Sequence, residues 1–290
     1  MSEIPFDQRD GFIWIDGEMH PWTESKVHVL SHGLHYASAV FEGERMYNGK
    51  IFKSHEHSER LHKSAEIMGM KIPYSVDEIE KIKYDVCKAN DLHDCYIRVL
   101  AWRGGEQMGV AARKTKTHIA VATWPWARYF DEDKYRNGIT LRTSPWHRPA
   151  PNTAPTQSKA SGLYMICTMS KHAAEDDGFD DALMLDYQGN VAEGTGANFF
   201  AVKNGTLMTP PPDCFLNGIT RQTVIQIAKD EGIPFEERKI KPEELAGIDE
   251  VFLTGTAAEI TAVGQIDEHK FTVGEITNKI RTLYEKLVRT

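Results

Sequence analysis

The sequence lacks what would place it in a membrane, on nucleic acid or in a disulfide scaffold. Its four cysteines, Cys87, Cys95, Cys167 and Cys214, are spaced by 8, 72 and 47 residues, which fits neither a CxxC redox pair nor a zinc knuckle. Reduced thiols are the expectation. No stretch approaches the ~18 consecutive apolar residues of a membrane span, and the opening MSEIPFDQRDGF has mixed charge and no apolar secretion core. Positive charge is in deficit, with 34 Lys and Arg against 42 Asp and Glu and a net charge of −8, so there is no electrostatic footprint for a phosphate backbone. Internal repeats and low-complexity tracts are missing too. With 41% hydrophobic and 26% charged residues, a globular chain of roughly two domains remains, long enough to bury a core without staples. The expectation is a cytoplasmic protein with no nucleic-acid and no membrane partner.

Local patterns give the organisation. Phe12 to Ile15 before Asp16-Gly17, and Arg45 to Tyr47 joined to Lys50 to Phe52 by Asn48-Gly49, read as hairpins with type I′ turns; the first 53 residues read as short strands and turns. Leu61, Ala65 and Met68 then make an apolar helical stripe ending at Gly69. A second helix opens on a Ser75/Glu78 capping box and buries Ile79, Ile82 and Val86. CYIRVLAW, residues 95 to 102, alternates, so Tyr96, Arg98, Leu100 and Trp102 share one strand face and Cys95, Ile97, Val99 and Ala101 the other. After a strand from Thr117 to Thr123 the periodicity breaks in WPWARYFDEDKYRNG, which places an interdomain connection at 126–138 between domains 1–125 and 139–290.

The second half opens with the proline-rich loop TSPWHRPAPNTAPTQSKASG, followed by a helix over about 161–176, strands DALMLD and NFFAVK, and a turn at Asn204-Gly205. A helix from Thr220 to Asp230, an apolar strand EVFLTG and a final helix complete it. The last helix is expected to start at a Thr272/Glu275 capping box and to bury Ile276, Ile280, Leu283 and Leu287. Periodicity alone therefore predicts a mixed α+β chain with largely antiparallel strands.

Two groups invite chemistry. Among twelve histidines, His28, His32 and His35 cluster, as do His55, His57 and His62; they raise a metal-dependent hydrolase as the reading from another class. Residues two apart on a helix diverge, so His55 and His57 are expected on a solvated helix face, His28, His32 and His35 as buried or structural imidazoles, and no metal is expected. Lys159 differs: no acid lies within ten residues of it. A Schiff-base lysine must shed its charge to attack an aldehyde, and a pocket poor in carboxylates favours that. Gly218-Ile219-Thr220, where a loop becomes a helix, offers unpaired N–H groups to an anion, or an ordinary Thr N-cap.

With SHGLHYASAVFEGER (31–45), SERLHKSA (58–65), YIR (96–98), NTAPTQSKASGLY (152–164), EGTGANFF (193–200), LNGITR (216–221) and TGTAAEIT (254–261) in that order, the chain resembles the fold-type IV pyridoxal-phosphate aminotransferases, specifically the branched-chain amino acid aminotransferases. The resemblance implies the two-domain α+β fold of the D-amino acid aminotransferase type, with a smaller N-terminal domain, an interdomain loop and a larger domain binding pyridoxal 5'-phosphate. It implies transfer of the amino group of L-leucine, L-isoleucine or L-valine to 2-oxoglutarate. By similarity Lys159 carries the cofactor and moves the substrate proton, Glu193 pairs with the pyridine nitrogen, and Tyr164 donates to the phenolic oxygen. Arg60, Gly218, Ile219, Thr220 and Thr256 bind the phosphate. Phe41, Trp126, Tyr129, Tyr164 and a neighbouring subunit's Val110 line the apolar pocket, Tyr36, Tyr96 and Arg98 recognise the γ-carboxylate, and backbone N–H groups of Thr256 and Ala257 hold the α-carboxylate. The partners implied are small amino and 2-oxo acids and further copies of the chain, as a homodimer at minimum or a hexamer of three dimers. D-amino acid aminotransferase and aminodeoxychorismate lyase share the fold, lysine and glutamate, and the Tyr-x-Arg pair favours the L-branched-chain branch over them. Asn217, where the motif commonly has proline, and GGEQMGVAARKTK (104–116) are departures.

Overall fold

The computed structural model describes residues 4–126 and 131–290; Tyr129 and part of the 126–138 connection lie outside the described residues. The chain forms two compact units, Met1–Ala127 with Ser158–Gly162, and Arg128–Gln157 with Leu163–Thr290. Among the described residues, no helix is long and apolar enough to cross a membrane.

The first unit holds β1 (Phe12–Ile15), β2 (Glu18–Pro21), α1 (His32–Tyr36), β3 (Ala39–Tyr47), β4 (Lys50–Ile51), α2 (Ser54–Ile67), α3 (Val76–Ala89), β5 (Cys95–Arg103) and β6 (Thr117–Pro125). Its strands make an antiparallel sheet in the order β2-β1-β6-β5-β3-β4. Both hairpin turns have both central residues at positive φ, Asp16 and Gly17 at 49° and 112°, Asn48 and Gly49 at 49° and 80°, as a tight hairpin requires. On β5 the face carrying Cys95, Ile97, Val99 and Ala101 is fully buried. Ser75 and Glu78 cap α3 reciprocally, Glu78 N–H donating to Ser75 Oγ and Ser75 N–H to Glu78 Oε2.

Two expectations fail in this unit. α1 stands where only strands and turns were predicted, because five residues are too few to show a period. The histidine groups also separate: His32 is buried with its Nε2 3.0 Å from Gly109 O, while His28 and His35 are exposed. His57 is buried and only His55 stays on the solvated helix face.

The second unit holds α4 (Glu132–Asn137), β7 (Ile139–Thr143), α5 (Met165–Asp176), β8 (Asp181–Leu185), β9 (Val191–Gly194), β10 (Asn198–Lys203), β11 (Thr206–Thr209), α6 (Ile219–Asp230), β12 (Phe235–Glu237), β13 (Glu250–Gly255), β14 (Glu259–Ile266), β15 (His269–Lys270) and α7 (Glu275–Leu287). Neighbouring strands run β12-β11-β10-β13-β14-β7-β8-β9, and β9 returns to pair with β10 through Glu193 and Asn198. Six strands thus close into a ring around Ile139, Leu141, Leu183, Phe199, Leu253 and Val263, all essentially water-free. The pairs β7–β8, β7–β14 and β11–β12 are parallel, so the antiparallel expectation holds for the whole first sheet and for most of the second.

The expected cap of α7 is wrong. Gly274 is the N-cap, and the Thr272 hydroxyl donates to Asp249 O instead. The orphan N–H groups of Ile276 and Thr277 donate to the buried carboxylate of Glu250, which arrives from β13. Leu287 is 43% exposed, and the buried face of α7 runs through Thr277, Ile280, Arg281 and Tyr284.

Candidate active site

In the first unit, Lys159 sits on a short segment laid along the start of β3. Ala160 bridges Val40, and Phe41 N–H donates to Lys159 O. Ser64, buried on α2, clamps the same segment twice: its Oγ accepts from Lys159 N–H at 3.0 Å, and its carbonyl accepts from Ser158 Oγ at 2.9 Å. A backbone fixed at both ends aims the half-buried lysine side chain over the Phe41 ring, Nζ lying 4.9 Å from its centroid. A primary amine held over an aromatic face on a rigid support suits covalent attachment of an aldehyde.

Phe41, Tyr96, Arg98 and Trp126 form one cluster. β3 and β5 pair so that Gly43 opposes Arg98. Arg98 Nη2 donates to Tyr96 Oη at 3.1 Å, and its guanidinium lies 4.7 Å from the Phe41 ring centre. Trp126 stands 4.9 Å from the Tyr96 ring. Gly43 leaves the space that Tyr96 fills: a Cβ there would lie 1.9 Å from Tyr96 Oη. Tyr36 packs against the His32 ring and is 42% exposed, and Val110 is 85% exposed.

Arg60, on α2, is a half-buried member of a network rather than a solvated helix residue. Its Nε and Nη2 donate to the two oxygens of Glu42, each at 2.7 Å, and His57 Nδ1 lies 2.7 Å from Glu42 Oε2. Glu42 was not singled out in the sequence, although two acids, Glu42 and Glu44, set two apart within the strand AVFEGERMY were a signal.

In the second unit Glu193 occupies the strand position where the ring closes. Asn198 Nδ2 donates to Glu193 Oε2 at 3.1 Å and to Leu216 O, while Asn198 Oδ1 accepts from Gly218 N–H at 3.1 Å. One amide therefore ties the buried carboxylate to the loop that begins α6. Arg148, 5% exposed, brings Nε within 3.3 Å of Glu193 Oε1. Tyr164 stands at the N-cap of α5, and burial pushes the neighbouring Cys167 thiol up to about 11. Sequence reasoning missed Asn198 and Arg148; an isolated buried arginine in a proline-rich loop leaves no periodic trace.

Gly218, not Thr220, caps α6, without a side-chain bond. A Cβ on Gly218 would meet Asn198 Oδ1 at 2.2 Å, so the residue must be glycine for the loop to approach. The first-turn N–H groups of Ile219 and Thr220 have no partner further up the helix and suit an anion. Asn217 accepts from Arg221 Nη1 at 2.9 Å, which gives this departure from proline a role in the loop. Thr256 and Ala257 lie half-buried in the turn from β13 to β14. Among the described residues, the one group of three metal-ligating side chains with donor atoms within 4.8 Å of one another is His55, Asp77 and Glu80. It contains none of His28, His32, His35 and His57, so the clusters behind the hydrolase reading do not assemble.

The chain as a whole matches known proteins. The profile described as Amino-transferase class IV matches residues 39–266. The chain belongs to that family. A probable branched-chain-amino-acid aminotransferase of Rickettsia felis is 43% identical to this class IV aminotransferase over 294 residues, covering 100% of both chains. The crystal structure of the Escherichia coli branched-chain amino acid aminotransferase is 39% identical with a TM-score of 0.93, covering 97% of this chain and 95% of that one. The branched-chain amino acid aminotransferase of Thermobaculum terrenum, solved in its PLP-form, has a TM-score of 0.89 at 32% identity, covering 97% and 95%.

Proposed function

We propose that this class IV aminotransferase moves the amino group of L-leucine, L-isoleucine or L-valine reversibly to 2-oxoglutarate, with pyridoxal 5'-phosphate as cofactor. The observation that carries the reading is Lys159, clamped by Ser64 with its amine held over Phe41. The donor set fits the cofactor: an amine for its aldehyde, a buried carboxylate for its pyridine nitrogen, and N–H groups at a glycine-capped helix start for its phosphate. When bound, the cofactor supplies an electron sink for the carbanion formed at the substrate Cα.

The protein's residues do the rest. Lys159 would hold the cofactor, and its released amine would move the proton between the substrate Cα and the cofactor C4′. Glu193, fixed by Asn198 and Arg148, keeps a proton on the pyridine nitrogen. Tyr164 donates to the phenolic oxygen. Arg60, the backbone of Gly218, Ile219 and Thr220, and Thr256 bind the phosphate. Backbone N–H groups of Thr256 and Ala257 orient the α-carboxylate. Phe41, Trp126, Tyr129, Tyr164 and a neighbouring copy's Val110 take the apolar side chain, and Tyr36, Tyr96 and Arg98 take the γ-carboxylate of the second substrate. The Arg98–Tyr96 hydrogen bond supports that last assignment, since a guanidinium held by a phenol is ready for a carboxylate. The division into a smaller domain, a connection over 126–138 and a larger cofactor-binding domain, a cytoplasmic location and a homodimer or larger assembly belong to the same reading.

The test is the visible spectrum of the purified protein. L-Leucine is expected to remove the bound cofactor's visible band, and 2-oxoglutarate to restore it. Lys159→Ala is expected to lose covalent attachment and turnover together. Normal transamination by that variant, or faster turnover of D-alanine than of L-leucine, sinks the assignment.

A further inference from the structure

The first unit buries charge where a core is ordinarily apolar. Glu42 and Glu44, two apart on β3 and so on one face, are both essentially inaccessible to water. Glu44 is answered by Lys83, whose Nζ donates to Glu44 Oε2 at 2.7 Å, Ser58 Oγ at 2.8 Å and Ser54 O at 3.0 Å. Glu42 is answered by the two-pronged bond from Arg60 and by His57. Buried ion pairs of this kind add little stability that apolar packing could not provide. A two-pronged carboxylate does something apolar packing cannot: it fixes the plane of a guanidinium.

We infer that Glu42 is a positioning residue for the cofactor phosphate, locking the plane of Arg60 while His57 pins the carboxylate, so that the cation meets the dianion in one preset orientation. The inference rests on the reading of Arg60 as a phosphate ligand. Burial pushes the Glu42 carboxyl up, but the charge of Arg60 and the hydrogen bonds from His57 and Arg60 outweigh it and hold the group well below the usual carboxylate range. The two-pronged bond from Arg60 needs the ionised carboxylate, which these partners favour.

Cofactor titration of the apoenzyme, followed by absorbance, tests this, with inorganic phosphate and a thermal melt as a second readout free of turnover. Glu42→Gln is expected to weaken pyridoxal 5'-phosphate binding by about tenfold or more, on the scale of a charged hydrogen bond, and to shrink the melting shift given by phosphate. The larger part of any activity loss is expected in cofactor affinity rather than in kcat at saturating cofactor. On an Arg60→Ala background the same change is expected to add less than about twofold, because its route is already gone. Full additivity, or unchanged affinity in Glu42→Gln beside weakened affinity in Arg60→Ala, overturns the positioning role alone. Unchanged affinity in Arg60→Ala overturns the phosphate reading and this inference with it. If Glu42→Gln does not fold, His57→Gln reads the same geometry: a rise of roughly threefold in the dissociation constant is expected, and an unchanged constant overturns the proposal.

Discussion

Gly43 shows how a single hydrogen atom can set the shape of the proposed substrate pocket. It opposes Arg98 across β3 and β5, and the missing Cβ is the space the Tyr96 hydroxyl occupies. Adding a methyl forces that phenol away and breaks its bond to Arg98, without touching Lys159 or its clamp. Gly43→Ala is therefore expected to raise KM for 2-oxoglutarate by about 10–100-fold, the range of a lost hydrogen bond to a charged group. KM for L-leucine, whose side chain makes no use of the polar corner in the proposed pocket, is expected to move much less. Steady-state kinetics with each substrate varied in turn checks it; equal loss for both would place Tyr96 and Arg98 outside γ-carboxylate recognition. The sequence made Tyr96 and Arg98 legible as a pair, because alternation is a local property. It did not reveal Gly43, since the clash belongs to a residue 53 positions away. Glu42 was half-legible, an acid inside a strand whose partners on α2 no spacing rule supplies.

At the scale of elements, hairpins, α3 and its cap were readable because their determinants lie within a few residues of each other. The start of α7 shows where that stops. Thr272 and Glu275 have capping-box spacing, yet the chain places Thr272 on Asp249 and fills the helix start with Glu250 from a strand over twenty residues earlier. A buried carboxylate accepting two first-turn N–H groups, at the positive end of the helix dipole, is the stronger partner. Glu250→Gln is expected to lower the unfolding free energy by about 1–2 kcal/mol, measured by urea denaturation. Thr272→Val, the damaging change if Thr272 were the cap, is expected to cost less than about 0.5 kcal/mol. The reverse ranking would restore the local cap.

Over the whole molecule, the features least visible in the sequence are the return of β9 to β10 and the grouping of Ser158–Gly162 with the first unit. Each is made by a few hydrogen bonds between distant positions, which leave no periodicity. The assembly is a question of the same kind. In the first unit, Val27, Val29, Leu30 and Leu34 on one segment and Met108 and Val110 on another all expose apolar side chains. The two segments touch, since His32 N–H donates to Gly104 O and His32 Nε2 lies 3.0 Å from Gly109 O. Apolar residues gathered this densely at a surface suit an interface, and under the proposed role of Val110 in a neighbouring copy's pocket the expected partner is a second copy. Leu34→Asp with Val110→Asp places two unpaired charges in that contact. The double variant is expected to sediment as a monomer and to lose most of its L-leucine turnover, while its melting temperature at fixed protein concentration falls because the linked association is gone. Sedimentation at the size of the parent would move the interface elsewhere. A folded monomer with full activity would show instead that each copy completes its own pocket, and Val110 would lose its assignment.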